Sequence, residues 1–351
     1  MNHTDGDPVV QQDAPTLRAV PCPRCGAERS RVVVEGRDYL YGVAGRFRAA
    51  ECGVCGLWFQ NPRPVDAELP DLYPSEYGPH AAPDSDVPSA VSAGRARFLR
   101  RRFGYHDLTP DATGRRDRRV LPPFDAIRQW TVGQDLIPRY EEGGTVLELG
   151  CGSGARLGLL RRLGWPRVQG IEFVPAAAER ARALGFEVRC APVEEALDEY
   201  PDGALDVVVS SMLLEHLRNP FDVVSRVATK LKPGGQFLFS TITRDSLDAR
   251  IYGGYWAGFD FPRHLVYLRT ADIVRMLEGR FEHVEFFYHA DPVDFVRGST
   301  WRANDGKATL LDRLVLSMRT SRPARVCAMV LALLGLTCRV SVRCRKRGAS
   351  R

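Results

Sequence analysis

Apolar and polar residues alternate in a regular way from residue 145 onward. Short apolar runs are separated by segments with the spacing of amphipathic helices. This alternation is typical of βαβ units, in which helices cover a parallel sheet. The predicted strands are residues 145–149, 168–172, 187–190, 205–210, 236–241 and 283–289. The pattern therefore predicts an α/β domain built on a mostly parallel sheet.

A last strand is predicted over residues 338–344, where apolar and polar side chains alternate with a period of two. Cys338, Val340, Val342 and Cys344 form one face, and Arg339, Ser341 and Arg343 form the other. Because one face is polar, we expect this strand to be half-exposed at an edge of the sheet.

The longest apolar run of the C-terminal part covers residues 326–336. It is shorter than the roughly 20 residues of a membrane span. Arg322, Arg325 and Arg339 flank it. We expect a buried helix here, and a peripheral membrane contact is the alternative.

The N-terminal part divides into segments of different composition. Residues 1–19 are polar and carry two prolines, which predicts a disordered lead. Residues 20–66 form a small four-cysteine module, and residues 67–138 form a linker and helical lead-in rich in arginine. The main domain then covers residues 139–351. The arginine clusters at 100–102 and 115–119 are solvated helix faces or a surface for an anionic partner.

Composition is that of an ordinary globular protein, with 44% hydrophobic and 26% charged residues and a formal net charge of +6. Residues 1–12 do not have the pattern of a secretory signal peptide. We therefore expect a cytoplasmic location, where closely spaced cysteines are more often metal ligands than disulfides.

Four of the nine cysteines occur as two CxxC pairs. Cys22 and Cys25 form the first pair, Cys52 and Cys55 form the second, and a glycine follows each. Two such turns direct four thiolates toward one tetrahedral zinc ion. Four sulfur ligands leave no open coordination position, so the spacing predicts a structural zinc.

A glycine-rich turn follows the first predicted strand of the main domain. Gly150, Gly152 and Gly154 lie between the strand at 145–149 and a helical pattern from Ala155. Such a turn lets the backbone approach a ligand at a helix N-terminus. By itself the turn also satisfies the dinucleotide pattern GxGxxG/A, so an NAD-dependent dehydrogenase stays an alternative.

Four motifs together resemble those of class I S-adenosylmethionine-dependent methyltransferases: ELGCGSG, GIEFVP, LDVVVSSMLLEHL and LKPGGQFLFST, within residues 145–243. The resemblance implies a Rossmann-like, mostly parallel sheet with an antiparallel last strand. It also implies that the cofactor contacts Glu148, Gly150, Cys151, Gly152, Gly154, Glu172, Ala191 and Met212, with Glu172 at the ribose diol, Ala191 near the adenine and Met212 near the sulfonium.

Two histidines are candidates for a general base, because histidine titrates near neutrality. His216 follows Glu215 in the LEHL motif, and His264 lies in the aromatic segment YWAGFDFPRHLVYL. This segment and the cysteine module are similar to bacterial zinc-ribbon methyltransferases of sugar and natural-product pathways. Related sugar C-methyltransferases carry a Glu-His pair where this chain has Arg263 and His264. The resemblance therefore implies a catalytic role for His264, while Arg263 suggests an anionic group on the substrate.

The leading hypothesis is a methyltransferase that acts on a sugar, a sugar nucleotide or a natural-product or polysaccharide intermediate. A nucleic-acid methyltransferase is an alternative, since the zinc module and arginine clusters suit a phosphate backbone. A non-catalytic zinc-ribbon binding protein is another. The sequence does not specify whether the acceptor atom is oxygen, nitrogen or carbon.

Overall fold

The computed structural model describes residues 13–74, 93–106, 108, 130, 133–319 and 321–348. The predicted features at residues 1–12, most of the linker, and the arginine cluster at 115–119 lie outside these residues.

The chain forms thirteen strands in the described residues. They are β1 Leu17–Arg18, β2 Ser30–Gly36, β3 Phe47–Cys52, β4 Trp58–Gln60, β5 Arg63–Pro64, β6 Thr145–Leu149, β7 Arg167–Glu172, β8 Glu187–Cys190, β9 Leu205–Ser211, β10 Leu231–Ile242, β11 Val266–Tyr267, β12 Phe281–Tyr288 and β13 Arg339–Lys346. All seven predicted strands are present, and two of them, β6 and β8, have the predicted bounds.

Ten α-helices lie between these strands in the described residues. They are α1 Ala93–Phe103, α2 Ala155–Arg162, α3 Pro175–Ala183, α4 Val193–Ala196, α5 Pro220–Lys230, α6 Leu247–Tyr252, α7 Thr270–Leu277, α8 Val293–Asn304, α9 Leu310–Met318 and α10 Arg322–Leu333. Short 3₁₀ turns at Leu214–His216 and Ala257–Phe259 carry or precede the candidate histidines.

The central sheet has seven strands in the order β12-β13-β10-β9-β6-β7-β8. Strands β10, β9, β6, β7 and β8 pair in parallel, and β13 pairs antiparallel with both of its neighbours. The Rossmann-like, mostly parallel sheet with an antiparallel last strand is therefore confirmed. Because β6 and β9 are adjacent, the loops after these strands meet at one end of the sheet.

The expected edge position of the last strand is wrong, because β13 lies inside the sheet between β10 and β12. Its polar residues have partners that the alternation did not reveal. Arg339 pairs with Asp294, at 2.6 and 2.9 Å. Arg343 donates to the Ile137 carbonyl, 2.6 Å away, and its guanidinium lies over the Phe103 ring. The polar positions of β13 therefore face protein partners, and their alternation with apolar positions does not indicate exposure to solvent.

The predicted buried helix near the C-terminus is also different in the structure. Helix α10 buries only Ala328 and Ala332, while Val326, Leu333 and the adjacent Leu334 are more than half exposed. Among the described residues, no helix combines the length and apolar character that crossing a membrane requires.

The cysteine module shares a sheet with the main domain. Strands β2, β3 and β4 form an antiparallel sheet whose fourth strand is β11, from the segment just after His264. In addition, Cys22, Leu57 and Phe59 belong to the same apolar core as Leu265 and Val266. The module is therefore built into the region that carries the candidate histidines.

Candidate functional site

The glycine turn after β6 is fixed by hydrogen bonds to the neighbouring strand. The N–H groups of Gly150 and Cys151 both donate to the Ile171 carbonyl, at 2.9 and 3.0 Å. Gly150 has φ +68°, and a Cβ there would lie 3.1 Å from the Leu213 side chain. Position 150 therefore requires glycine for both its backbone conformation and its packing.

Glu172 connects three of the predicted cofactor residues. Its carboxylate accepts hydrogen bonds from Gly152 N–H at 2.8 Å and Val174 N–H at 2.9 Å. Its backbone carbonyl accepts from Ala191 N–H at 3.1 Å. Burial raises the pKa of this carboxyl, although the backbone donors oppose that shift. The structure therefore brings Gly152, Glu172 and Ala191 together at the strand ends.

Glu148 is buried and only partly paired. One carboxylate oxygen lies 3.2 Å from Arg156 Nε, and the other has no hydrogen-bond partner among the described residues. Burial raises the pKa of Glu148 to about 8, against the opposing charge of Arg156. A buried acceptor without a partner is costly and suits a site that a ligand or water completes.

The other predicted cofactor residues at the strand ends are Cys151, Gly154 and Met212. The Cys151 side chain packs in a core cluster with Leu157, so only its backbone belongs to the turn. A Cβ on Gly154 would lie 3.1 Å from the Ala181 Cβ. Met212 has φ +49° and donates its N–H to the Ser240 carbonyl at 2.9 Å, which holds it at the end of β9.

His216 and His264 form an edge-to-face pair with ring centroids 4.5 Å apart and an interplanar angle of 83°. The Nδ1 atom of His264 is 2.9 Å from the Gly258 carbonyl, which can only accept a hydrogen bond. Therefore Nδ1 carries a proton, and in the neutral ring Nε2 keeps its lone pair. Nε2 lies 3.6 Å from an Asp260 carboxylate oxygen.

His216 is held on its Nδ1 side by two groups. The Tyr73 hydroxyl is 2.9 Å away, and the Arg263 carbonyl is 3.1 Å away. Burial, together with the charge of His264, lowers the pKa of His216 to about 3. The ring is therefore neutral at physiological pH and adds no positive charge beside His264.

Glu215, directly before His216, links the strand β10 to the segment that carries His264. It is buried, accepts a hydrogen bond from the Thr241 hydroxyl at 2.7 Å, and receives the Leu265 N–H on its backbone carbonyl at 2.7 Å. Its other carboxylate oxygen has no hydrogen-bond partner in the described residues, and burial raises its pKa. The carboxyl, hydroxyl and backbone contacts join the end of β10 to the segment that carries His264.

Arg263 is buried, and its donors are all directed to protein groups. The two terminal nitrogens contact Asp38, each at 2.8 Å, and Nη2 also donates to Asp260 at 2.6 Å. Nε donates to Asp260 at 3.2 Å, and carbonyls of Leu72 and Phe261 lie 3.5 and 3.3 Å from the terminal nitrogens. The predicted role for Arg263 as the anion-binding group of the substrate is therefore wrong, because no donor is left for a substrate. These carboxylates raise the pKa of Arg263, and the guanidinium lowers that of Asp260.

The aromatic residues around His264 pack against one another rather than line an open pocket. Phe259 and Phe261 stack with centroids 5.2 Å apart, and Tyr267 contacts both rings edge-on. Trp256 is also buried and donates its indole N–H to Asp248 at 2.8 Å. This packing holds the Asp260–His264 turn in one conformation.

A chain of contacts connects the strand ends to the histidine pair. Phe173, directly after Glu172, meets the Tyr73 ring edge-on with centroids 5.4 Å apart, and Tyr73 contacts His216. Sequence reasoning missed Tyr73 and Asp38, for which the sequence carries no motif. Asp260 was also missed, although its spacing of four residues from His264 was a usable signal.

The four cysteines of the module converge. The Sγ atoms of Cys22 and Cys55 are 3.5 Å apart, as are those of Cys25 and Cys52, and all four lie within 4.8 Å of one another. The N–H groups of Val54 and Cys55 point at the Cys52 sulfur, at 3.4 and 3.5 Å. This donor set fits a soft divalent ion.

Comparisons with known proteins match the domain that carries the glycine turn. Residues 124–280 match the family model described as a methyltransferase domain. The chain is similar to the ribosomal protein L11 methyltransferase of Burkholderia mallei, with 36% identity over 118 residues, which is 33% of this chain and 38% of that protein. It is also similar to the ubiquinone biosynthesis O-methyltransferase of Bordetella pertussis, with 38% identity over 109 residues, 29% of this chain and 44% of the relative.

Among solved structures, an S-adenosylmethionine-dependent methyltransferase from Archaeoglobus fulgidus aligns with a TM-score of 0.44 and 20% identity, over 62% of this chain and 93% of the other. The matched stretch spans less than half the length of the two curated relatives. Residues 124–280, a little under half of the chain, are therefore similar to methyltransferase domains.

Proposed function

We propose that this chain transfers the methyl group of S-adenosylmethionine to a small-molecule acceptor, a sugar, a sugar nucleotide or a natural-product or polysaccharide intermediate, with His264 as general base. The observation that carries this proposal is the pair of a buried His264 and a half-buried His216 beside the strand ends that form the glycine turn. Bound S-adenosylmethionine supplies a methyl group on a positively charged sulfur.

The residues at the strand ends fit this cofactor. Glu172 is a buried carboxylate able to accept hydrogen bonds from a ribose diol, and the free oxygen of Glu148 is a second acceptor near the glycine turn. Gly150 and Gly154 have positive φ and pack closely against Leu213 and Ala181, which fixes the backbone of the turn that would face the cofactor. We infer that these residues, with Gly152, Ala191 and Met212, hold the cofactor.

His264 is suited to remove a proton from the acceptor. The Gly258 carbonyl fixes the tautomer in which Nε2 accepts, and Asp260 lies close enough to stabilise the imidazolium that forms. His216 lies against the His264 ring, and the Tyr73 hydroxyl contacts His216. Both groups would orient the acceptor. Because His216 is neutral, no second positive ring lies 4.5 Å from His264.

We also infer that Cys22, Cys25, Cys52 and Cys55 bind one structural zinc ion. Zn–S bonds of about 2.3 Å in a tetrahedron separate the sulfurs by roughly 3.8 Å, close to the 3.5 Å contacts observed here. The ion would fix the sheet that includes β11, and thereby the segment after His264.

The test is methyl transfer from labelled S-adenosylmethionine to a panel of sugar nucleotides and hydroxylated natural products. We expect His264→Asn to lower turnover by roughly 10²- to 10⁴-fold while the affinity for S-adenosylhomocysteine stays within twofold. His283→Asn is the matched control, because His283 is exposed on β12. Unchanged turnover in His264→Asn would exclude the histidine as the base. Absence of any S-adenosylhomocysteine binding by the unaltered protein would instead refute the methyltransferase proposal itself.

A further inference from the structure

Two consecutive helices near the C-terminus expose large apolar side chains. On α9, Leu310 is 82% exposed and Leu314 is 55% exposed. On α10 and directly after it, the exposed residues are Val326, Met329, Val330, Leu333 and Leu334. We call these seven residues the apolar surface. Large apolar side chains exposed on two helices that contact each other mark a candidate interaction site on a folded chain.

Helix α10 has its small residues inside and its large residues outside. Ala328 and Ala332, one turn apart, are the buried positions of the helix. Val326, Val330 and Leu333 follow the i, i+4, i+7 spacing of one helix face, and that face is turned to solvent. An amphipathic helix that served only the core would have the opposite arrangement. The described residues therefore leave these large side chains uncovered.

The exposed charges on α9 and α10 themselves are of one sign. Residues 306–337 contain five basic residues and one acidic residue, which gives a net charge of +4. The acidic residue, Asp312, is buried, caps α9 at Thr309 and pairs with Arg302 at 3.4 Å. Four arginines are exposed: Arg313, Arg319, Arg322 and Arg325. Every exposed charge on these two helices is therefore positive.

We propose that α9 and α10 bind the surface of an anionic lipid bilayer. The leucine, valine and methionine side chains would enter the boundary between headgroups and acyl chains, and the arginines would contact lipid phosphates. A second copy of this chain is a poorer partner. A two-fold interface would place the same positive surface against itself, without an exposed carboxylate on either helix to compensate it.

The experiment is co-sedimentation of the full chain with vesicles of phosphatidylcholine, with or without 30% phosphatidylglycerol. We expect binding to the anionic vesicles and at least tenfold weaker binding to the neutral ones. Leu333→Ser/Leu334→Ser should weaken binding at least tenfold, because it removes the two most exposed apolar side chains of α10 and its end. Arg322→Gln/Arg325→Gln should weaken it by roughly fivefold for each arginine at low salt.

The matched controls carry the same types of change elsewhere on the surface. Leu184→Ser/Val274→Ser replaces two apolar residues that are 44% and 47% exposed, and Arg162→Gln replaces an exposed arginine of α2. Both controls should bind vesicles as the unaltered chain does. Circular dichroism and S-adenosylhomocysteine affinity verify that each variant is folded, since none of these residues lies at the cofactor site.

Three results would overturn the proposal. The first is the absence of vesicle binding, or equal binding to neutral and anionic vesicles. The second is unchanged binding by a folded Leu333→Ser/Leu334→Ser variant. The third is a dimer, detected by light scattering, that this variant converts to a monomer while vesicle binding stays the same; a second copy would then cover the apolar surface.

Discussion

Asp38 and Arg263 form a buried bidentate ion pair, with two N–O distances of 2.8 Å. The two residues are 225 positions apart, one in the cysteine module and one beside the catalytic candidate His264. The Asp38 carboxylate also accepts hydrogen bonds from the N–H groups of Leu40 and Tyr41, at 2.9 and 3.0 Å. This carboxylate therefore fixes a loop of the module and the histidine segment at the same time.

We predict that Asp38→Asn lowers the free energy of unfolding by about 3 kcal/mol, because it leaves the buried Arg263 charge with one carboxylate fewer. Turnover should fall as well, since the Asp260–His264 turn loses its anchor. Urea unfolding and methyl-transfer assays measure the two effects. Glu35→Gln is the control: Glu35 pairs with Arg46 and Arg48 at the surface, and its loss should have no measurable effect. Equal stability of the two variants would contradict the anchoring role of Asp38.

Gly150→Ala tests the glycine turn. Gly150 and Gly203 have nearly the same φ, +68° and +65°, so alanine costs about 1 kcal/mol of stability at either position. Only at position 150 would the new methyl group approach a side chain, that of Leu213 at 3.1 Å, whereas Gly203 has open space. We therefore expect Gly150→Ala to lower S-adenosylhomocysteine affinity at least tenfold in calorimetry, and Gly203→Ala to leave it unchanged. A similar affinity in both variants would argue against cofactor binding at this turn.

Glu148 predicts a pH dependence of stability in the cofactor-free protein. The unfolded chain releases this proton near the ordinary pKa of 4.5, and the folded chain releases it near 8. Between these values the folded state binds more protons, so stability falls as the pH rises. Glu148→Gln removes this dependence.

From pH 5 to pH 8, the unaltered protein should therefore lose on the order of 3 kcal/mol of unfolding free energy relative to Glu148→Gln. Denaturant unfolding at several pH values measures it. A difference that stays constant over this range would show that Glu148 is ionised in the folded state.

Removal of one cysteine should affect both the metal and the histidine segment. Cys52→Ser should lose the one equivalent of zinc that we expect by elemental analysis, and its melting temperature should fall. Because β4 pairs with β11 through Phe59 and Val266, turnover should fall too. Cys327→Ser, at an exposed cysteine of α10, is the control and should retain zinc. A Cys52→Ser protein with full zinc content would refute the four-cysteine site.

The sequence by itself determined where the strands of the central sheet and the glycine turn lie along the chain. The pattern predicted β6 and β8 to the residue. β6 is almost fully buried and mostly apolar, whereas β8 has a period of two, with Glu187 and Arg189 exposed and Val188 buried between them. The CxxC pairs and the turn at Gly150 could also be recognised from the sequence, since both depend on residues a few positions apart. Such local patterns predict local structure correctly because the interactions that stabilise it are between residues close in sequence.

Only the tertiary structure decided which distant groups satisfy one another. Arg263 was predicted to bind an anionic group of the substrate, but its guanidinium forms an ion pair with Asp38, 225 residues earlier. The arginines of β13 predicted an exposed edge, yet Asp294 and the Ile137 carbonyl make an interior position acceptable. Helix α10 was predicted to be buried, but only Ala328 and Ala332 face the protein, while Val326, Val330 and Leu333 face solvent. A polar or apolar residue shows what kind of partner it needs, and only the packed chain determines where that partner lies.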